Sequence, residues 1–160
     1  MTELRDPAHR VSPRARTLWR LQSGIGGAVV VLGLVVAAAT WREYDGRWWV
    51  VLVAAVLAAA YAVVVPQWRF AVHRWEITDT AVYTQRGWWA RERRIAPMSR
   101  VQTVDLAEGP LDRLFGLTTL TVTTASAAGP LRVEGLERGL ALQLSQRLTR
   151  NAEDAGGDAT

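Results

Sequence analysis

The chain has 160 residues, about one domain's length. All 19 of its basic side chains are arginine and none of its residues is cysteine, which excludes a disulfide framework, a thiolate metal site and a cysteine nucleophile. Two histidines leave little for a metal cluster, and a formal charge of +4 is too modest to point to nucleic acid.

The apolar residues are concentrated near the N-terminus. Leu21 to Trp41 and Trp48 to Trp68 contain no charged side chain. Each is about 20 residues, enough for a helix to span the ~30 Å of a bilayer's hydrocarbon. Trp19, Trp41, Trp48, Trp49 and Trp68 mark the ends of these segments, where an amphipathic ring prefers the headgroup zone. The connection Arg42-Glu43-Tyr44-Asp45-Gly46-Arg47 is short, so the two helices are antiparallel neighbours. Arg5, Arg10, Arg14, Arg16 and Arg20 precede the first segment, and Arg69, Arg74 and Arg86 follow the second. By the positive-inside rule both termini are cytoplasmic in a multi-pass plasma-membrane protein. Ala37-Ala38-Ala39 could serve a signal peptidase, but the apolar stretch before it is longer than a signal core. Ser23/Gly27, Gly24/Ala28, Ala54/Ala58 and Ala58/Ala62 are small residues four apart. They suit close packing of the hairpin and leave a homo-oligomer open. No charge lies within the spans to mark an ion or substrate path.

From Arg69 onward, short alternating runs between turn signals predict antiparallel strands. The expected strands are 70–78, 81–86, 88–96, 101–108, 117–125 and 131–134. Val101 is out of step with Val104 and Leu106, which predicts a register break near Gln102-Thr103. Gly109-Pro110 opens a short helix over 111–115 that Gly116 ends, with both glycines free to take left-handed backbone. Leu136, Leu140, Leu144 and Leu148 recur every fourth residue and predict an amphipathic helix over 137–151. The chain thus divides into a basic cytoplasmic tail (1–20), a two-helix transmembrane hairpin (21–68, spans near 21–41 and 48–66), a β-rich domain (69–152) and a polar, disordered tail (153–160). The fold class is a membrane α-helical hairpin followed by a mainly-β barrel or curved antiparallel sheet capped by a C-terminal helix.

The run Tyr83 to Gly87, then Arg93-Arg94-Ile95-Ala96-Pro97, Arg100-Val101-Gln102-Thr103-Val104-Asp105, Glu108-Gly109-Pro110-Leu111 and Arg113-Leu114-Phe115-Gly116-Leu117 resembles bacterial pleckstrin-homology (PH)-like domains. Two spans before one such domain are similar to the YdbS-like membrane proteins. The resemblance covers about residues 20–150. It implies a barrel of normally seven strands closed by a C-terminal helix, one strand more than the six read here. The missing strand is expected from a split of 88–96, or the barrel stays partly open. The resemblance also implies no catalytic residues, and as partner a larger protein with several PH-like domains.

Arg100, Gln102, Gly109, Pro110, Arg113 and Gly116 carry the resemblance and read as scaffold, with Arg113 set to pair with Asp105 or Glu108. Arg69, Arg74, Arg91, Arg93 and Arg94 are the candidate headgroup contacts, since arginines beside an anionic leaflet gain about 1 kcal/mol each. His73 is a lone strand histidine, and no catalytic, cofactor or metal constellation is visible. The aromatic residues crowd the membrane ends instead of interleaving with arginines, so nucleic acid is not expected. The functional expectation is a non-catalytic adaptor or subunit of a membrane protein complex, in the bilayer with another membrane protein. The alternative is a module that binds anionic lipid headgroups at the inner leaflet.

Overall fold

The computed structural model describes residues 6–41, 45–87, 89–126 and 129–157. The chain forms two units: residues 16–68, and residues 1–15 together with 69–160.

Two long helices make up the first unit and run beyond it at both ends. Helix α1 spans Pro13–Thr40 and α2 spans Arg47–Val72. Both are long and apolar enough to cross a membrane. Their surfaces leave side chains such as Leu32 and Leu57 63% exposed, a disposition suited to lipid and not to water. At the crossing, a Cβ on Gly27 would lie 3.0 Å from Ala58 Cβ, so the small-residue faces do bring the backbones together there. Gly24, in contrast, faces open space.

The helices are longer than the apolar runs. α1 starts well before Leu21 because Ser12-Pro13 is a start signal. Ser12 Oγ accepts from the Arg14 N–H at 3.4 Å, and proline suits the first helical position. α2 continues through Pro66 to Val72, so the strand expected from residue 70 begins only at Arg74. A proline inside a spanning helix forgoes one backbone bond while its fixed φ remains helical. Trp41, Trp48, Trp49 and Trp68 are exposed, whereas Trp19, inside the extended α1, is buried. Arg42 to Tyr44 of the connection lie outside the described residues.

The second unit has two antiparallel sheets. The first has the order β1-β2-β3-β4: β1 His9–Arg10, β2 Arg74–Ile77, β3 Ala81–Arg86 and β4 Glu92–Pro97. The second has the order β5-β6-β7: β5 Val101–Ala107, β6 Leu117–Thr124 and β7 Leu131–Glu137. The two are not closed into one barrel by a continuous ladder, which fits a curved, partly open sheet. Alternation along β6 turns Leu120 and Val122 into the core, where they are fully buried with Val82 and Leu136.

The seventh strand comes neither from a split of 88–96 nor from anywhere after the hairpin. It is β1, from the N-terminal tail, with His9 opposite Trp75 and Arg10 opposite Arg74. The tail then reaches the other sheet, where the Ser12 N–H donates to Gly135 O at 2.9 Å. A bulge makes that bond available. The β6–β7 register shifts between Thr118 and Leu120, opposite Glu134 and Gly135, and Gly135 takes φ 75°. β7 therefore runs on to Glu137, past the expected stop at residue 134, and Leu136 is a strand residue.

The register break foreseen near Gln102-Thr103 is present between Val101 and Thr103. The strand expected over 88–96 starts at Glu92, which pairs with Arg86 at the end of β3. Trp88 lies outside the described residues. Helix α3, Pro110–Phe115, ends at Gly116 with φ 65°, as expected. Gly109 is different: its φ of −73° needs no glycine. Its N–H instead donates to Asp112 Oδ2 at 2.9 Å, and a Cβ would meet the same oxygen.

Helix α4 spans Arg138–Gly157, so it absorbs much of the segment expected to be disordered, while residues 158–160 lie outside the described residues. Its buried face is Ala141, Leu144 and Leu148; Leu140 is 38% exposed. A strict four-residue repeat turns about 40° too far at each step of a 3.6-residue helix, so Ala141 takes the inward position.

Candidate interaction site

The helix α2 delivers the chain into the β domain through one residue. His73 follows Val72 and precedes β2. Its buried ring sets Nδ1 2.9 Å from Arg69 O, a carbonyl that can only accept, so Nδ1 carries the proton and donates. Burial, and then the charge of Arg69, holds the His73 pKa below its ordinary 6.5.

Buried Gln85 on β3 is the second element of this junction. Its Nε2 donates to Val72 O at 3.2 Å, one of the carbonyls a helix end leaves unpaired. Its Oε1 accepts from Arg93 Nε at 3.0 Å, and Arg93 is ion-paired with Asp6 of the N-terminal arm. A polar chain thus runs Asp6, Arg93, Gln85, Val72. Around it the arm adds an Ala8 N–H bond to Glu76 Oε2 at 3.0 Å, a His9 ring 4.9 Å from that of Trp75, and a Ser12 Oγ–Glu137 Oε1 bond at 3.2 Å. None of Gln85, Asp6 or Ser12 stands out from composition or spacing. The only signal was the unpaired end of a helix, which needs an acceptor's partner.

The five arginines proposed from sequence to meet headgroups do not form one bare cluster. Arg69 is ion-paired with Glu134, and Arg93 with Asp6. Arg94 Nη1 donates to Pro130 O at 2.9 Å, and its Nε lies 3.3 Å from Glu92. Glu92 also accepts from Arg86 Nε at 2.8 Å, and this bond, ahead of the charges of Arg86 and Arg94, lowers its pKa. Arg74 Nη1 reaches Pro7 O at 3.4 Å. Arg91 is exposed and, among the described residues, makes no ion pair. A depression of about 70 Å³ is lined by Arg94, Arg100, Thr124 and Ser126 together with apolar Ile95 and Leu131.

Among the family-motif residues, one expected pairing is replaced by another. Arg113 does not pair with Glu108. Glu108 accepts from Thr118 Oγ1 at 2.9 Å and pairs with Arg138 at 3.3 Å, while Asp105 accepts from Thr103 Oγ1 at 3.3 Å. α4 begins beside Gly116, whose carbonyl accepts from the Arg138 N–H at 3.2 Å, so Arg138 reaches Glu108 first. Pro110 opens α3, and Gln102 lies exposed in the β5 bulge. Arg100 is exposed, and its carbonyl accepts from the Ala125 N–H at 3.1 Å.

The second sheet ends in an edge strand. Seven-residue β5 has a strand paired on one side only, and its own Leu106 is 36% exposed while Leu114 on α3 is 74% exposed. A long edge strand presents unpaired backbone groups to another chain.

A family model described as Bacterial PH domain matches residues 24–152. The chain is 31% identical over 156 residues to the UPF0699 transmembrane protein YdbS of Bacillus subtilis (strain 168), covering 92% of this chain and 96% of that protein. No solved structure matches it.

Proposed function

The chain belongs to the bacterial PH domain family, as a transmembrane protein, and on that premise we propose that it is a non-catalytic adaptor or subunit of a membrane protein complex. The hairpin anchors it in the plasma membrane with both termini cytoplasmic, an orientation supported by the arginine bias of the tail and the post-hairpin segment. The observation that carries the reading is the edge strand β5, which among the described residues has a strand paired on one side only, a position that suits strand addition by a partner. The partner class is another membrane protein, and a larger chain bearing several PH-like domains would supply matching sheet edges.

Affinity purification of the full chain in mild detergent tests this. A second membrane protein should co-purify with the wild-type chain and be lost with Leu106→Arg, and because Leu106 lies opposite buried Leu120 the melting temperature of the variant is measured beside it to show that the β domain stays folded. Recovery of this chain alone, in repeated preparations, would refute the adaptor role.

A further inference from the structure

Trp89 to Arg91, in the connection from β3 to β4, are exposed and have no part in the edge-strand reading. Register fixes the location of this connection. Arg74 lies opposite Gln85, and Gln85 bonds the last carbonyl of α2, so the connection begins two residues beyond a side chain that touches the end of α2. The other end of β3, at Thr78 to Thr80, is about 20 Å away at ~3.3 Å per residue. α2 itself passes only four residues, or about 6 Å, beyond exposed Trp68 before it ends at Val72. The headgroup layer is about 5–8 Å thick on each side of a bilayer. Of the two ends of β3, this one is therefore the end the chain ties to the helix exit.

Within this connection Trp89 is 89% exposed, the most exposed large apolar side chain among the described residues. The connection is shaped: Gly87 has φ 122°, and a Cβ there would fall 1.8 Å from Ala90 O. Residues 86–94 carry four arginines against one glutamate, and Arg91 is exposed beside Trp89. Tryptophan flanked by arginine is the composition of an interfacial anchor, in which the ring enters the headgroup zone and the cations face lipid phosphates.

We propose that the β3–β4 connection, with exposed Trp89 and Arg91, dips into the anionic surface of the same bilayer that the hairpin spans. The hairpin holds the connection at high local concentration over that surface, so a contact too weak to recruit a soluble domain suffices to fix this domain's tilt. The occupant is lipid and not a protein groove. This inference rests on membrane anchorage and not on the adaptor reading, so either can fail alone.

The test uses the full chain, whose lack of cysteine permits single labelling sites. Nitroxide labels at Ala90→Cys and Thr80→Cys are examined in proteoliposomes of phosphatidylcholine with phosphatidylglycerol, which contain no other protein. At Ala90→Cys the label should be reached by oxygen and shielded from a water-soluble nickel chelate, while the label at Thr80→Cys should show the reverse. Adding Trp89→Ser should abolish the shielding at Ala90→Cys, and replacing phosphatidylglycerol by phosphatidylcholine should reduce it. Equal chelate access at both sites overturns the proposal. So does shielding that survives Trp89→Ser, or shielding from both reagents, which marks burial in protein.

Discussion

Gln85 Nε2 donates to Val72 O at 3.2 Å, so the last carbonyl of the second spanning helix is satisfied by a side chain from the middle of the β sheet. The same amide accepts from Arg93, whose other partner is Asp6. One buried amide thereby ties helix end, sheet and N-terminal arm together, and it does so where the chain passes from α2 to β2.

Gln85→Leu is accordingly expected to destabilise the β domain by about 1–3 kcal/mol, because it removes the donor to the Val72 carbonyl and one acceptor of the Arg93 guanidinium, which keeps Asp6. Asp6→Ala, at the half-exposed end of the same chain, should cost only about 0–1 kcal/mol. Thermal unfolding of the full chain in detergent measures both. Equal losses would mean that the amide is not the central link.

The arm is expected to behave as a part of the β domain. A fragment of residues 69–157 lacks β1, buried Val11 and the Ser12 bond to Gly135, and it leaves the β2 edge open. It should therefore associate or unfold more readily than the same fragment with a peptide of residues 6–15 added. Sedimentation and thermal melting with and without the peptide check this, and no change on addition would contradict it.

Much of this fold was legible in the sequence. The spans lack charge, the phase slip between Val101 and Val104 marks a real bulge, and Pro110 and Gly116 bracket α3. The hidden parts are those set by distant partners. A two-residue strand at His9–Arg10 has no periodicity to read, and its partner lies past the whole hairpin. The Gly135 bulge and the choice of Arg138 over Arg113 for Glu108 likewise depend on which elements meet. At the candidate site, the arginines were visible as charge but their carboxylates were not, since Asp6 and Glu134 are remote in sequence from Arg93 and Arg69.

Two glycines should differ in cost. Gly116→Ala places a side chain in left-handed backbone with an ordinary contact to Arg14 Nη1 at 3.7 Å, a loss of about 1 kcal/mol. Gly87→Ala adds a backbone collision with Ala90 O and should cost more, about 1–3 kcal/mol, with the β3–β4 turn rearranged. The order of the two melting temperatures checks the assignment.

His73 gives the protein a pH response of known sign. Its folded-state pKa lies below 6.5, first because the ring is buried and second because Arg69 is charged beside it; Glu134 acts in the opposite direction and Arg86 adds to the lowering. The unfolded chain therefore binds the proton first as pH falls. The stabilisation is complete above about pH 6.5 and is lost as pH drops through the folded value. Melting temperature against pH should show this decline, and His73→Gln should flatten it. Identical slopes for the two proteins would remove His73 from the account.

The account as a whole depends on two crossings of the membrane with the PH domain inside. Single cysteines at Asp45, in the turn between the helices, and at Thr80, in the β2–β3 turn, report this directly, because the native chain supplies no background thiol. With a membrane-impermeant maleimide on intact cells, Asp45→Cys should be labelled and Thr80→Cys only after the membrane is opened. Labelling of Thr80→Cys in intact cells, with Asp45→Cys protected, would contradict it.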